Sequence, residues 1–308
     1  MKPAPLAAYA CLAAAMAVVG VYVGLSRLLL AALPVFLLAW LRFGIAAVAM
    51  APWVRRRRGE PRLRPRARRL LFWESFLGNF GFSICMLFGV AATSAVAAGV
   101  VMAAIPATVA VMSRVFLGER LSGRVIGAIV LAAAGIAVLA LSRSPASEAS
   151  SSGAGPAATA PWWGYALLFG AVLCEAAYVV IGKQLTANVS PRRISALINL
   201  WGLALVTPFG LWQAWDFDFQ AVTASTWALL VFYAVAASIL TVWLWMQGLR
   251  HVPASHAGVF TVCLPVSAAL VGIAVLGEPF GAGHAVAFTL AIAGLLLATW
   301  PSRERRSR

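Results

Sequence analysis

The chain has 308 residues, 62% hydrophobic and 11% charged, with a mean hydropathy of +0.90 and a formal net charge of +15 at pH 7. A soluble domain carries roughly 25% charged residues, so this composition cannot dress one core in a water-compatible surface, and it excludes a soluble globular protein. The positive charge lies in the stretches between apolar runs, so it needs no nucleic-acid partner to explain it.

Apolar runs long enough to cross a hydrocarbon core of roughly 30 Å follow one another along the chain. The first, about 6 to 25, follows Lys2 and is rich in Ala, as a secretory signal would be. Cleavage is not expected, because the same pattern returns mid-chain at 162 to 183. The second, 34 to 53, holds a deep charge, Arg42, whose expected partner is a carboxylate or the carbonyls of a helix end. The arginine-rich loop from Arg55 to Arg69 then reads as a topology determinant, with attraction to anionic headgroups as a secondary use. In the third run, 70 to 88, Ser75, Asn79, Ser83 and Met86 share one helical face, and Glu74 lies near enough to the boundary for its head to reach water. Arg114, at the end of the fourth run (94 to 116), is read the same way. The fifth run is 123 to 141.

Residues 142 to 160, dominated by Ser, Ala, Gly and Pro, form a flexible linker between a first domain at 6–141 and a second at 161–300. The sixth run, 162 to 181, places Glu175 near its middle with Tyr178 and Gly182 on its face; Tyr22 belongs to the matching face of the first run. The seventh is 192 to 212. The eighth, 226 to 248, carries Ser238, Thr241 and Trp245 on one face. His256 opens the ninth (254 to 276), where a neutral packed imidazole is expected, and the tenth is 283 to 300, followed by a basic tail at 301–308. Cys11, Cys85, Cys174 and Cys263 fall in separate runs without metal or disulfide spacing and read as packing residues. Tryptophans cluster at run ends, as interfacial anchors do. Continuous runs rather than period-two alternation exclude a barrel.

The runs repeat. Gly89, Pro106, Leu117, Gly118, Glu119 and Gly135 coincide with Gly248, Pro265, Leu276, Gly277, Glu278 and Gly294 at a constant offset of 159, and Tyr9, Leu12, Tyr22 and Arg27 answer Tyr165, Leu168, Tyr178 and Lys183 at 156. With the N-terminus inside, 20 Lys and Arg residues fall on the cytoplasmic side and only Arg27 and Arg143 outside. Five runs per half then invert the second half relative to the first. The expected fold class is an all-α polytopic membrane protein with ten transmembrane helices as two inverted five-helix repeats, in the inner membrane with both termini cytoplasmic.

Polar side chains inside the runs carry the functional expectation, because each is costly in hydrocarbon and must face a partner or a wet cavity. Tyr22, Asn79, Ser83, Glu175, Tyr178, Ser238, Thr241 and Trp245 are the expected substrate-binding residues. Glu175 is also the proton-coupling candidate, since its repeat partner is Val19 and the fold does not demand a carboxyl there. No cofactor, metal site or catalytic residue is expected: no paired carboxylates, metal spacing, nucleophile with base or Walker motif is present in the linear pattern.

The repeated features also form a recognisable set: small-residue helix entries (Thr93 to Gly99; Pro253 to Gly258), mid-helix prolines, the Leu-Gly-Glu ends, a glycine in the following helix, and Leu41 to Phe43 in the second run. Both halves resemble the EamA domain of the drug/metabolite transporter superfamily. The prolines permit kinks with freed carbonyls, and each Gly-Glu pair is expected to end one helix and favour the positive start of the next. The resemblance implies a ten-helix carrier with a cavity formed mainly by helices 1, 3, 4, 6, 8 and 9. It also implies efflux of an amino acid or similar small metabolite by alternating access. The alternatives are a carrier of cationic drugs or cofactor-like metabolites and, in a different class, a non-transporting membrane partner subunit. The expected partners are a small-molecule substrate and the lipid bilayer, with no nucleic acid and with a homodimer left open.

Overall fold

The computed structural model describes residues 6–30, 32–55, 63–92, 101–102, 104–141, 161–264, 266–267, 270 and 281–299. The linker, the tail, Pro265, Gly277, Glu278 and the Thr93 to Gly99 entry lie outside them. The described elements are all helical, with no strand among the described residues. Apart from a single turn at Ala51–Val54 and a 3₁₀ turn at Phe219–Ala221, in chain order they are α1 (Leu6–Leu30), α2 (Val35–Ala49) and α3 over 65–92, then α4 (Ile105–Leu117), α5 (Gly123–Leu141), α6 (Trp162–Thr186) and α7 (Pro191–Trp215). They continue with α8 (Ala224–His251), α9 (Ala254–Val259, continued by a 3₁₀ turn at Phe260–Val262) and α10 (Ala282–Thr299).

By length and composition α6, α7 and α8 are each able to cross a membrane; 25 residues of helix reach about 37 Å. Shorter apolar helical stretches run at Leu6–Tyr22, Val35–Ala49, Ile105–Leu117, Gly123–Val138 and Ala285–Ala298. Large apolar side chains face outward along them, among them Val48, Val115, Leu296 and Ile292, and Trp162, Trp212 and Trp215 are the most exposed tryptophans, all at helix ends. That distribution suits lipid rather than water as the surrounding solvent.

The helix ends follow local chemistry. Gly118 closes α4 with φ +68°, a left-handed conformation that only Gly adopts freely, and the Glu119 amide donates back to the Ser113 carbonyl. Thr223 caps α8 by accepting from the Thr226 amide, and Gln213 at the end of α7 accepts from the Phe36 and Leu37 amides at the start of α2. Pro106 sits in the first turn of α4, where its missing N–H costs nothing. Two features were not anticipated. Both α3 and α8 contain one wide π turn, at Phe76–Gly81 and at Val235–Leu240, positions related by the 159 offset. Such turns insert an extra residue and recur at functional sites.

The Leu-Gly-Glu end also works differently from expectation. Glu119 does not serve the next helix in sequence. Its carboxylate accepts from the Ala254 amide at 2.7 Å and from the Ser255 amide at 3.0 Å, with the Ser255 hydroxyl at 2.7 Å, so it caps α9 in the other half of the chain. The start of α9 offers unpaired amides and a positive dipole end, and Glu119 is the carboxylate that reaches them.

Helices pair across the two halves. α1 packs on α8, α3 on α6, α2 on α7, α4 on α6 and α9, and α5 on α10. The pairings are reciprocal in detail: a Cβ at Gly135 would lie 3.1 Å from the Ala287 carbonyl, and one at Gly294 would lie 3.1 Å from the Ala128 carbonyl. Gly89 likewise abuts Leu168, and Gly248 abuts Leu12. Small residues let these backbones approach, which is how helices associate where lipid removes the hydrophobic drive. The largest apolar cluster joins α1, α6, α8 and α9 around Leu12, Met16, Val179, Trp245 and Phe260.

Candidate functional site

The predicted site residues lie on α1, α3, α6 and α8, and α3 and α6 set their levels. The two run antiparallel in a close register: Gly81 faces Cys174, Gly78 receives the Tyr178 ring, and Gly182 faces Glu74. Cys85 faces Gly170 and shares a side-chain hydrogen bond with Cys174. The four cysteines are free, and these two meet across the seam although nothing in their spacing indicated it.

Around this seam the structure gathers an aromatic and charged group. Tyr22 meets Tyr233 edge to face at 5.3 Å between ring centroids. The Arg42 guanidinium lies 4.3 Å from the Phe43 ring centroid and 5.8 Å from that of Tyr233. Arg42 therefore rests on aromatic faces rather than on the expected carboxylate or helix end, and its Nε has no hydrogen-bond partner. On α6, Tyr178 lies three residues from Glu175 and packs its ring on Gly78, one turn along α3 from Glu74. Tyr22, Tyr233 and Arg42 thus form one contiguous group, while Tyr178 and Glu74 face Gly78 and Gly182 across the α3–α6 seam, with Glu175 beside Tyr178 on α6.

Glu74 requires a correction. Its head was expected to reach water, yet the residue is 0% exposed and neither carboxylate oxygen has a hydrogen-bond partner. The neighbouring Ser75 hydroxyl donates to the Ile198 carbonyl of α7 at 2.8 Å, which ties that turn of α3 inward and carries Glu74 with it. Arg114, read in the same way, is exposed.

The remaining predicted residues divide. Asn79 lies in the π turn of α3 and donates to the Ser75 hydroxyl at 3.3 Å. Ser83 is exposed and donates to the Asn79 carbonyl. On α8, Thr241 donates at 2.8 Å to the Ala236 carbonyl, five residues back, a π-turn acceptor. Ser238 and Trp245 are buried, with Ser238 Oγ and Trp245 Nε1 lacking hydrogen-bond partners, and the Ser238 carbonyl accepts from Asn199 of α7 at 2.9 Å. Two buried polar atoms left over in one helix face are uncommon in a scaffold. A cavity of about 230 Å³ lies elsewhere, at the meeting of α7 and α8, lined by Ser190, Pro191, Arg192, Trp243, Gln247 and Arg250. Among the described residues no group of three His, Cys, Asp or Glu side chains forms a metal site.

Sequence reading missed Glu74, Tyr233 and Asn199. The signal was present in the repeat: Tyr233 is the partner of Glu74 at offset 159, and Asn199 is the partner of Arg42 at the 157 offset that relates Pro34 to Pro191.

A model of the EamA-like transporter family matches this chain over residues 6–141 and 162–300. The uncharacterized transporter YetK of Bacillus subtilis (strain 168) is 33% identical over 295 residues, spanning 95% of this chain and 86% of the relative. The uncharacterized transporter YyaM of the same organism is 24% identical over 262 residues, 85% of this chain and 83% of its own. A protein of known crystal structure aligns with a TM-score of 0.73 at 18% identity, covering 94% of this chain and 95% of that one, a likeness of fold.

Proposed function

The chain belongs to the EamA-like transporter family, a multi-pass membrane transporter by that membership, and on this premise we propose that it exports an amino acid or similar small metabolite across the inner membrane. Ten crossings in two inverted halves, with both termini cytoplasmic, surround a site between α1, α3, α6 and α8. Alternating access follows from exchanging the conformations of the two halves. The reciprocal contacts of Gly135 with Ala287 and Gly294 with Ala128, those of Gly89 with Leu168 and Gly248 with Leu12, and the paired π turns support this arrangement.

One feature carries the substrate class: Arg42 lies over the Tyr233 ring that meets Tyr22, and Glu175 stands three residues from Tyr178 on α6, so opposite charges are set among the same tyrosines. In this reading a zwitterion binds with its carboxylate on the guanidinium and its amino group on the Glu175 carboxylate. Tyr22, Tyr178 and Tyr233 supply apolar walls with polar tips. Asn79, Ser83, Ser238, Thr241 and Trp245 complete the set, with the free Ser238 hydroxyl and Trp245 indole N–H as hydrogen-bonding groups for the ligand. Tyr178 beside Glu175 on α6, and the Tyr22–Tyr233 pair, favour a second reading, a carrier of organic cations, in which ring faces and the carboxylate share the positive charge.

The test is a panel of labelled amino acids and their decarboxylated amines in proteoliposomes, with and without a pH gradient, comparing wild type with Glu175→Gln. Transport of a zwitterion that falls at least tenfold in the variant is the expected result. Unchanged rates and unchanged proton dependence overturn the role of Glu175. Amines carried in preference to amino acids select the cation reading, and a purified protein that moves nothing on the panel points to a partner subunit.

A further inference from the structure

Glu74 departs from its own repeat. Its partner position holds Tyr233, which packs on Tyr22, so the architecture is satisfied there without a carboxyl. Yet Glu74 is kept, wholly buried, with both oxygens lacking hydrogen-bond partners. An unpartnered carboxylate in an apolar interior is expensive enough that a proton or a cation has to neutralise it.

Its level in the bundle gives it a direction. Glu74 Oε1 sits where a Cβ on Gly182 would be only 2.8 Å away, so the bare backbone of Gly182 is what makes room for it. Gly182 is one residue from Lys183, whose ammonium donates to the carbonyls of Leu249 at 2.8 Å and Val252 at 2.7 Å at the end of α8. Glu74 therefore lies just inside the basic end of the bundle, which is cytoplasmic in the orientation proposed above. Glu175 lies seven residues back along α6, about 10 Å deeper. Tyr178 stands between these levels, its ring against Gly78, one turn along α3 from Glu74 and three residues along α6 from Glu175. Leu249 and Met246 are the side chains that share the Gly182 niche with Glu74, and both end in flexible groups able to move aside.

We propose that Glu74 is the basic-end member of a proton path whose inner member is Glu175, with Tyr178 as the hydroxyl between them. A proton entering from that end binds Glu74 and passes to the Tyr178 oxygen as the Tyr178 proton leaves for Glu175. Each O–H bond made is matched by one broken, and no other reactant is needed. On the helices facing this turn of α3 the charged or titratable groups are Tyr165, Cys174, Glu175, Tyr178 and Lys183 of α6, Arg192 and Arg193 of α7, and Tyr233, Arg250 and His251 of α8. Lys183 is committed to the α8 carbonyls.

The proposal rests on the reading of Glu175 as a proton-carrying group, and infrared spectroscopy of the full-length protein in lipid nanodiscs separates the two. The carboxyl stretch of Glu175 is assigned by its loss in Glu175→Gln and followed after a rapid pH jump, with the proton itself as the probe. Glu74→Gln is expected to slow the Glu175 response at least tenfold with its final amplitude retained. Tyr178→Phe slows it as well, and Glu74→Asp restores it to within about threefold of wild type. Retention of amplitude with loss of rate is what a purely structural role would not produce. An unchanged rate in Glu74→Gln overturns the path and leaves Glu175 standing. If no Glu175 band responds to pH in the wild type, the reading of Glu175 falls first. Should Glu74→Gln fail to fold, the rates of Tyr178→Phe and Glu74→Asp decide the matter alone.

Discussion

Tyr22 of α1 meets Tyr233 of α8 edge to face, and their repeat partners, Tyr178 and Glu74, face Gly78 and Gly182 along the seam of α6 and α3. Corresponding positions of the repeat are thus filled once by two phenols and once by a phenol and a carboxyl. The second pair brings an acidic group to one side of the site while Arg42 stays on the other, over the Tyr233 ring.

That division of charge predicts how Arg42 discriminates. Replacing Arg42 with Gln removes the group assigned to the substrate carboxylate and leaves Glu175 in place. The concentration for half-maximal transport of a zwitterionic amino acid is expected to rise at least tenfold, and that of the corresponding decarboxylated amine to stay within about twofold. Counterflow in proteoliposomes measures both. Equal losses for the two compounds would mean that Arg42 only supports the aromatic packing.

The antiparallel register of α3 and α6 is open to a direct chemical check. Cys85 and Cys174 share a hydrogen bond across the seam, each beside a glycine of the other helix. A thiol-to-thiol crosslinker of short span is expected to join the peptides carrying Cys85 and Cys174 within one chain, and to leave Cys11 and Cys263 unlinked to either. Peptide mass analysis reads the outcome, and a Cys11–Cys174 product would show the register to be wrong.

The sequence made the helical class and the repeated segment legible because both are written in local terms: apolar run length and the spacing of Gly, Pro and Glu. Gly118 was read correctly as a helix end because its left-handed conformation is a property of one residue. Glu119 was misassigned because which helix start it reaches is decided by packing between halves, 135 residues away. Glu74 was misjudged for a similar reason. Distance from the run end suggested water, whereas the Ser75 tie to α7 and the niche at Gly182 turn that part of α3 inward. Asn79 and Ser238 stood out as polar residues in apolar runs, but nothing in their spacing distinguished the π turns that hold them from ordinary helix.

Glu119 ought therefore to behave as a tertiary strut. Glu119→Ala removes the acceptor for two α9 amides and the Ser255 hydroxyl, and the expected loss is about 1–2 kcal/mol of stability, the usual scale for a lost helix cap. Glu119→Gln keeps an acceptor and part of the effect, while Ser255→Ala loses less because both amide bonds survive. Thermal unfolding in detergent ranks the three variants. A silent Glu119→Ala would show that water replaces the carboxylate at no cost.

The reciprocal contacts of α5 and α10 predict paired behaviour at two glycines in opposite halves of the chain. A side chain at Gly135 meets the Ala287 carbonyl and one at Gly294 meets the Ala128 carbonyl, each 3.1 Å from the Cβ position, with backbone rather than a flexible side chain as the obstacle. Gly135→Val and Gly294→Val are each expected to destabilise the protein by about 1–3 kcal/mol, the scale of overpacking. Because both substitutions push on one helix crossing, the double variant is expected to lose less than the sum of the two. Thermal unfolding of the single and double variants tests this. Full additivity would mean that the two contacts are independent, and the two halves would then not share the axis that the repeat implies.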